Sequence, residues 1–77
     1  MKDPLHLAAD DQRYAEYTQA VRREYAQVPD QDFRSGRARI LRQLLAAPSL
    51  FHTSYAAQHW ESAARTNVER ELIDLEA

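Results

Sequence analysis

The chain has 77 residues, 29% of them charged, and a net charge of −2. That length makes one small domain, and the charge balance sets up no global field that would draw the chain to nucleic acid or an anionic membrane. There is no cysteine, so disulfides are excluded, and a core of this size buries only about 60% of the unfolded surface.

One glycine and three prolines point to an all-α chain, a single domain over residues 1–77. The expected architecture is three amphipathic helices in a small bundle or an extended arrangement. Pro4, Pro29 and Pro48 punctuate it. The first helix is expected over about 10–28, with Asp10 or Asp11 as N-cap. Tyr14, Tyr17, Val21, Tyr25 and Val28 fall in steps of three and four and form its apolar stripe. Pro29 disfavours helical geometry at Val28 and should end it there.

The second helix is expected over about 32–47, opened by Asp30 or Asp32 and closed by Pro48, with Phe33, Ile40, Leu41, Leu44 and Leu45 on one side. Gly36, early in this segment, marks a loose first turn or a close approach of another backbone. Leu50 and Phe51 anchor a linker over 49–53. The third helix, over about 54–75, starts at a cap on Thr53 or Ser54. Its stripe is Tyr55 or Ala56, Trp60, Ala63, Ala64, Val68, Leu72 and Leu75.

Charge is segregated along the chain. Residues 32–47 hold Arg34, Arg37, Arg39 and Arg42 against Asp32 alone, whereas residues 55–77 hold Glu61, Glu69, Glu71, Asp74 and Glu76 against Arg65 and Arg70. Opposite signs place the second and third helices side by side, within one chain or across a dimer. The Arg34–Arg42 face is also the one feature a nucleic-acid binder would use. Proline-broken connections between long helices do not fit a helix-turn-helix, so nucleic acid is not the expected partner.

No nucleophile–base pair, phosphate loop or paired-carboxylate site is present. His52 and His59 are seven apart with a linker between them, and His6 lies near Asp3, Asp10 and Asp11. Neither arrangement has a metal-ligand spacing, so no metal, cofactor or catalytic residue is assigned. The candidate interface or functional surface comprises Tyr14, Tyr17, Tyr25, Arg34, Arg37, Trp60, Asn67 and Glu71. The tyrosines fit core or interface, where rings bury area and hydroxyls find partners. Asn67 and Glu71, four apart beside the apolar stripe, must be hydrogen-bonded if buried. Glu61 and Arg65 are spaced for a helix-surface ion pair.

From about Asp10 to Glu71 the chain resembles part of a bacterial family of predicted metal-dependent phosphohydrolases of the HD superfamily. The matching part is the region that follows the catalytic core. The residues are Arg13-Tyr14-Ala15-Glu16-Tyr17, Val21-Arg22-Arg23-Glu24-Tyr25, Val28-Pro29-Asp30 and Phe33-Arg34-Ser35-Gly36-Arg37. They continue through the Ile40–Leu45 run, Pro48, Leu50-Phe51-His52-Thr53, Trp60-Glu61, Ala64-Arg65-Thr66-Asn67-Val68 and Glu71-Leu72. The superfamily's activity rests on a metal held by histidines and aspartates, including an adjacent His-Asp pair. Here the histidines precede Leu7, Thr53 and Trp60. Asp3 falls near the register of the family's last metal-binding aspartate, but one carboxylate cannot hold a catalytic metal alone. The resemblance therefore implies a C-terminal helical part whose metal ligands belong to a core before Met1.

The expectation is a non-catalytic, cytoplasmic helical module, since no apolar run approaches the roughly 20 residues of a membrane span. It exposes apolar surface and covers it as a homodimer, with an exchanged third helix as one form, or by packing on a phosphohydrolase core. A regulatory or substrate-side subunit of a separately encoded phosphohydrolase is the second reading, and a small nucleic-acid binder the third.

Overall fold

The Asp10 carboxylate accepts a hydrogen bond from Arg13 N–H at 2.9 Å and opens the first helix, α1 (Asp11–Glu24). A side-chain acceptor at this position satisfies an amide that has no partner within the helix, and its charge opposes the helix dipole. The computed structural model describes residues 7–77. Asp3 and His6, weighed above as metal-ligand candidates, lie outside the described residues. The second helix, α2 (Asp30–Ala46), starts directly after Pro29, and the third, α3 (Ser54–Glu76), is capped by the Thr53 hydroxyl on Ala56 N–H. Among the described residues these three are the α-helices and there is no strand, so the chain is all-α.

The ends differ from the expected ones in two places. α1 stops at Glu24 rather than Val28. Arg22 folds back and donates to the carbonyls of Tyr25 and Val28, at 2.7 and 3.0 Å, which holds residues 25–28 as a turn. α2 begins at Asp30, the earlier of the two expected openers and two residues before the expected start at 32, because Pro29 is compatible with the entry to a helix and Asp30 supplies first-turn negative charge.

Arginines close all three helices. Arg65 donates to the carbonyls of Leu45 and Ala47, at 2.9 and 2.7 Å, at the end of α2. Arg34 does the same to Asp74 and Leu75, at 3.3 and 3.1 Å, at the end of α3. Terminal carbonyls have no partner within the helix, and a glycine just past the end usually helps to satisfy them. Here guanidinium groups take that role, so a helical chain needs no glycine at its helix ends.

These contacts also give the topology. Arg34 at the start of α2 meets the end of α3, and Arg65 within α3 meets the end of α2, so the two helices run antiparallel. Likewise Arg37 of α2 meets Tyr17, and Arg22 lies over the Phe33 ring at 4.7 Å, so α1 and α2 are antiparallel. α2 and α3 are the closely packed pair. The buried core is Leu7, Tyr14, Leu41, Leu50, Phe51, Ala64 and Val68, with Leu41 and Val68 fully enclosed.

The apolar stripes are only partly buried. On α1, Tyr14 is buried, Tyr17, Val21 and Val28 are half-buried, and Tyr25 is 53% exposed. On α2, Leu41 is buried while Ile40, one residue away and turned by about 100°, is 50% exposed. On α3, Ala63 and Tyr55 are exposed, and Tyr55 stacks on His59 at 4.1 Å. The N-terminal half of α1 packs on α3. Its C-terminal half lies beside α2, with a groove between the two helices.

Candidate functional site

Glu71 is the point where the three helices meet. Tyr14 O–H of α1 donates to Glu71 Oε1 at 2.6 Å. From α2, Arg37 grips the same carboxylate with two donors, Nε to Oε2 at 2.7 Å and Nη2 to Oε1 at 3.0 Å. Arg37 Nη2 also donates to the Tyr17 hydroxyl at 3.2 Å, and the guanidinium lies 5.4 Å from that ring. Tyr14 and Tyr17 meet edge to face at 5.6 Å, one turn apart. The side chains of Arg37 and Glu71 are 9% and 10% exposed, so the fork-to-fork pair sits in a low-dielectric setting.

This environment fixes protonation states. Burial, reinforced by the hydrogen bond to Glu71, pushes ionisation of the Tyr14 hydroxyl far above its ordinary range. Burial alone would lower Arg37; its hydrogen bonds to Glu71 and Tyr17 outweigh that and hold it above its already high ordinary value. Neither group exchanges a proton near neutral pH. Both Glu71 oxygens are engaged, and among the described residues no buried side-chain nitrogen or oxygen lacks a partner. Chemically, the node locks three helices together and offers no free base, acid or metal ligand. Among the described residues no three His, Asp or Glu side chains gather as a metal ion would require.

Above the node lies the groove between α1 and α2, about 500 Å³ in volume. Tyr17, Val21, Tyr25 and Val28 form one wall, and Phe33, Gly36 and Ile40 form the other. Arg37 lines the floor, with Glu24 and Asp32 adding negative charge. The Tyr25 and Phe33 rings, 6.4 Å apart, close the end near the α1–α2 turn.

The sequence-derived candidates therefore divide. Tyr14, Tyr17, Arg37 and Glu71 come together in the node, and Tyr25 stands beside it on the groove wall. Arg34 serves the end of α3 and pairs with Asp30 at 3.0 Å. Trp60 lies eleven residues from Glu71 along α3, about 16 Å, in an aromatic group with Phe51, Tyr55 and His59. Asn67 is buried and donates to the carbonyls of Leu7 and Ala9, at 2.8 and 2.9 Å, pinning the segment before α1. Its carbonyl accepts from Arg70, which also reaches Asp11 at 3.0 Å. Ile40, Val21 and Phe33 belong to the apolar stripes expected from the sequence, and nothing local marks them for an open groove rather than the core. Gly36 did carry one, as the chain's sole glycine inside a helix.

A second polar group organises the α2–α3 linker. Glu61 accepts from Leu50 N–H and the Ser49 hydroxyl, each at 3.0 Å, and from Arg65 at 2.6 Å. Burial pushes the Glu61 carboxyl up, but these hydrogen bonds outweigh it and hold it below its ordinary value.

A scan against protein-family models found no match, and searches of curated proteins and of solved structures found no similar protein.

Proposed function

We propose that this chain is a non-catalytic helical module whose work is association, and that the α1–α2 groove is its binding face. The observation that carries the reading is the open groove itself. It leaves Tyr25 and Ile40 about half exposed on facing walls, in a chain too small for a large core of its own. The saturated node supports the same reading, since Glu71, Arg37 and Tyr14 are engaged with one another. Self-association is the first form of this function.

The resemblance to the C-terminal region of HD-superfamily phosphohydrolases supplies a second form, packing on a metal-dependent catalytic core carried by another chain. Arg34, Arg37, Asn67 and Glu71 all make internal contacts. A regulatory or substrate-side surface would therefore use the groove side chains instead. Nothing favours the nucleic-acid reading. Arg34, Arg37 and Arg42 pair with Asp30, Glu71 and Glu76, leaving Arg39 as the only arginine of that run without such a partner among the described residues.

Sedimentation equilibrium over the micromolar range tests the reading, with phosphate-ester turnover measured in the presence of divalent metal. The expected result is a mass of twice the 8.9 kDa chain and no turnover. A cooperatively folded monomer throughout that range, or metal-dependent turnover by the chain alone, would contradict it.

A further inference from the structure

Gly36 is the chain's only glycine, and it occupies the seventh position of a 17-residue helix. Its φ is not positive, so no turn demands it. A Cβ there would meet nothing within 4 Å among the described residues, so no packing among them demands it either. Glycine inside a helix is unfavourable relative to alanine. The remaining physical use of such a residue is close approach of a backbone from outside the chain.

The surroundings of Gly36 indicate which backbone. At about 100° per residue, the face centred on Gly36 has two flanks. One carries Asp32 and Arg39, both exposed, with neither side chain in a hydrogen bond or ion pair among the described residues. The other carries Phe33 and Ile40, which line the groove. Asp32 and Phe33 precede Gly36 by about as much as Arg39 and Ile40 follow it. This face is self-complementary. When two copies of α2 pack antiparallel about a two-fold axis at Gly36, the axis brings like flanks together. Asp32 then faces the partner's Arg39, and Phe33 faces the partner's Ile40, each contact occurring twice. A parallel arrangement would bring unlike flanks together and set the charged Asp32 and Arg39 against the apolar Phe33 and Ile40 flank of the other copy.

We propose that the chain forms a homodimer through antiparallel α2–α2 packing across Gly36, so that the occupant of the groove face is a second copy. The inference rests on the association reading above and specifies its partner and register. The two glycines allow the helices to approach near the short end of the usual 8–10 Å interaxial range. The two grooves lie on the same side of the axis and merge into one apolar core, which covers Tyr25 and Ile40 of both copies. Such an interface is isologous, as closed two-fold dimers require.

Charge exchange provides the test, read by sedimentation and native mass spectrometry, with circular dichroism to verify that each variant is folded. Asp32→Arg alone and Arg39→Asp alone each turn two attractions into two repulsions. Each should weaken dimerisation by about tenfold or more. An equimolar mixture of the two variants should form mixed dimers in preference to either homodimer, and the double variant should regain the wild-type dissociation constant. Gly36→Lys, which improves helix propensity but places bulk and like charges on the axis, should be a helical monomer. A wild-type dimer unaffected by Gly36→Lys and by the charge variants would overturn this interface and leave the association reading standing. A folded wild-type monomer at high micromolar concentration would overturn both.

Discussion

Replacing Glu71 with glutamine tests the node that holds the three helices together. Glu71→Gln keeps the size of the side chain and an acceptor for Tyr14, but removes the charge opposite Arg37. That guanidinium is 9% exposed and has no other carboxylate among its hydrogen-bond partners. Removing one member of a buried pair costs roughly 3–5 kcal/mol, because the remaining charge stays desolvated. A 77-residue domain has a total stability of roughly 4–12 kcal/mol, so the variant should lose a large part of it. Urea unfolding at a fixed protein concentration, followed by circular dichroism and by Trp60 fluorescence, measures the loss. Keeping the concentration fixed holds the contribution of association the same for both proteins. The triple variant Tyr14→Phe, Arg37→Leu, Glu71→Leu removes every polar member of the node except the Tyr17 hydroxyl on Arg37, and should lie within about 2 kcal/mol of wild type. A Glu71→Gln variant within about 1 kcal/mol of wild type would refute the account, since the pair would then behave like a solvated surface ion pair.

Other contacts make separate predictions. Glu61 has a carboxyl held below its ordinary value of 4.5, so its contribution is full above that pH and fades as pH falls through the lower folded-state value. Glu61→Gln should therefore be less stable by about 2 kcal/mol at neutral pH, with the gap closing in acid; a gap that does not change with pH would count against the assignment. Asn67→Ala leaves the Leu7 and Ala9 carbonyls without their donor, and should cost roughly 2–3 kcal/mol. It should also raise hydrogen exchange around residues 7–14, and unchanged exchange there would show that Asn67 does not pin this segment. Leu41 is fully buried, and Leu41→Ala should cost about 3–5 kcal/mol by cavity formation; a loss below about 1 kcal/mol would place the core elsewhere.

Much of the fold could be read from local chemistry. Pro29, Pro48 and Thr53 separate the helices because each acts on its own backbone or on an amide a few residues away. The opposite charges of residues 32–47 and 55–77 anticipated the neighbouring placement of α2 and α3. What the sequence concealed was specific long-range pairing. Tyr14 and Glu71 are 57 residues apart, and nothing near either one marks the other. Arg65 was readable as an i,i+4 partner of Glu61, but its grip on the Leu45 and Ala47 carbonyls was not, because a backbone acceptor has no residue-type signature. The extension of α1 to Val28 followed an apolar stripe that does continue to that residue. The periodicity persists while residues 25–28 close as a turn, with Val28 N–H on the Tyr25 carbonyl and Arg22 on the carbonyls of both. The same stripe could not distinguish core from groove, since Val21 and Tyr25 are spaced for burial and face a partner position that this chain leaves open.

This chain is proposed to associate through its groove face. Sedimentation equilibrium of the wild type beside Ile40→Lys tests it most directly, because Ile40 is half exposed and its replacement should not disturb the fold. The expected masses are twice the 8.9 kDa chain mass for the wild type and the single-chain mass for a helical, cooperatively unfolding Ile40→Lys. Equal masses for the two proteins, whether single or double, would contradict it.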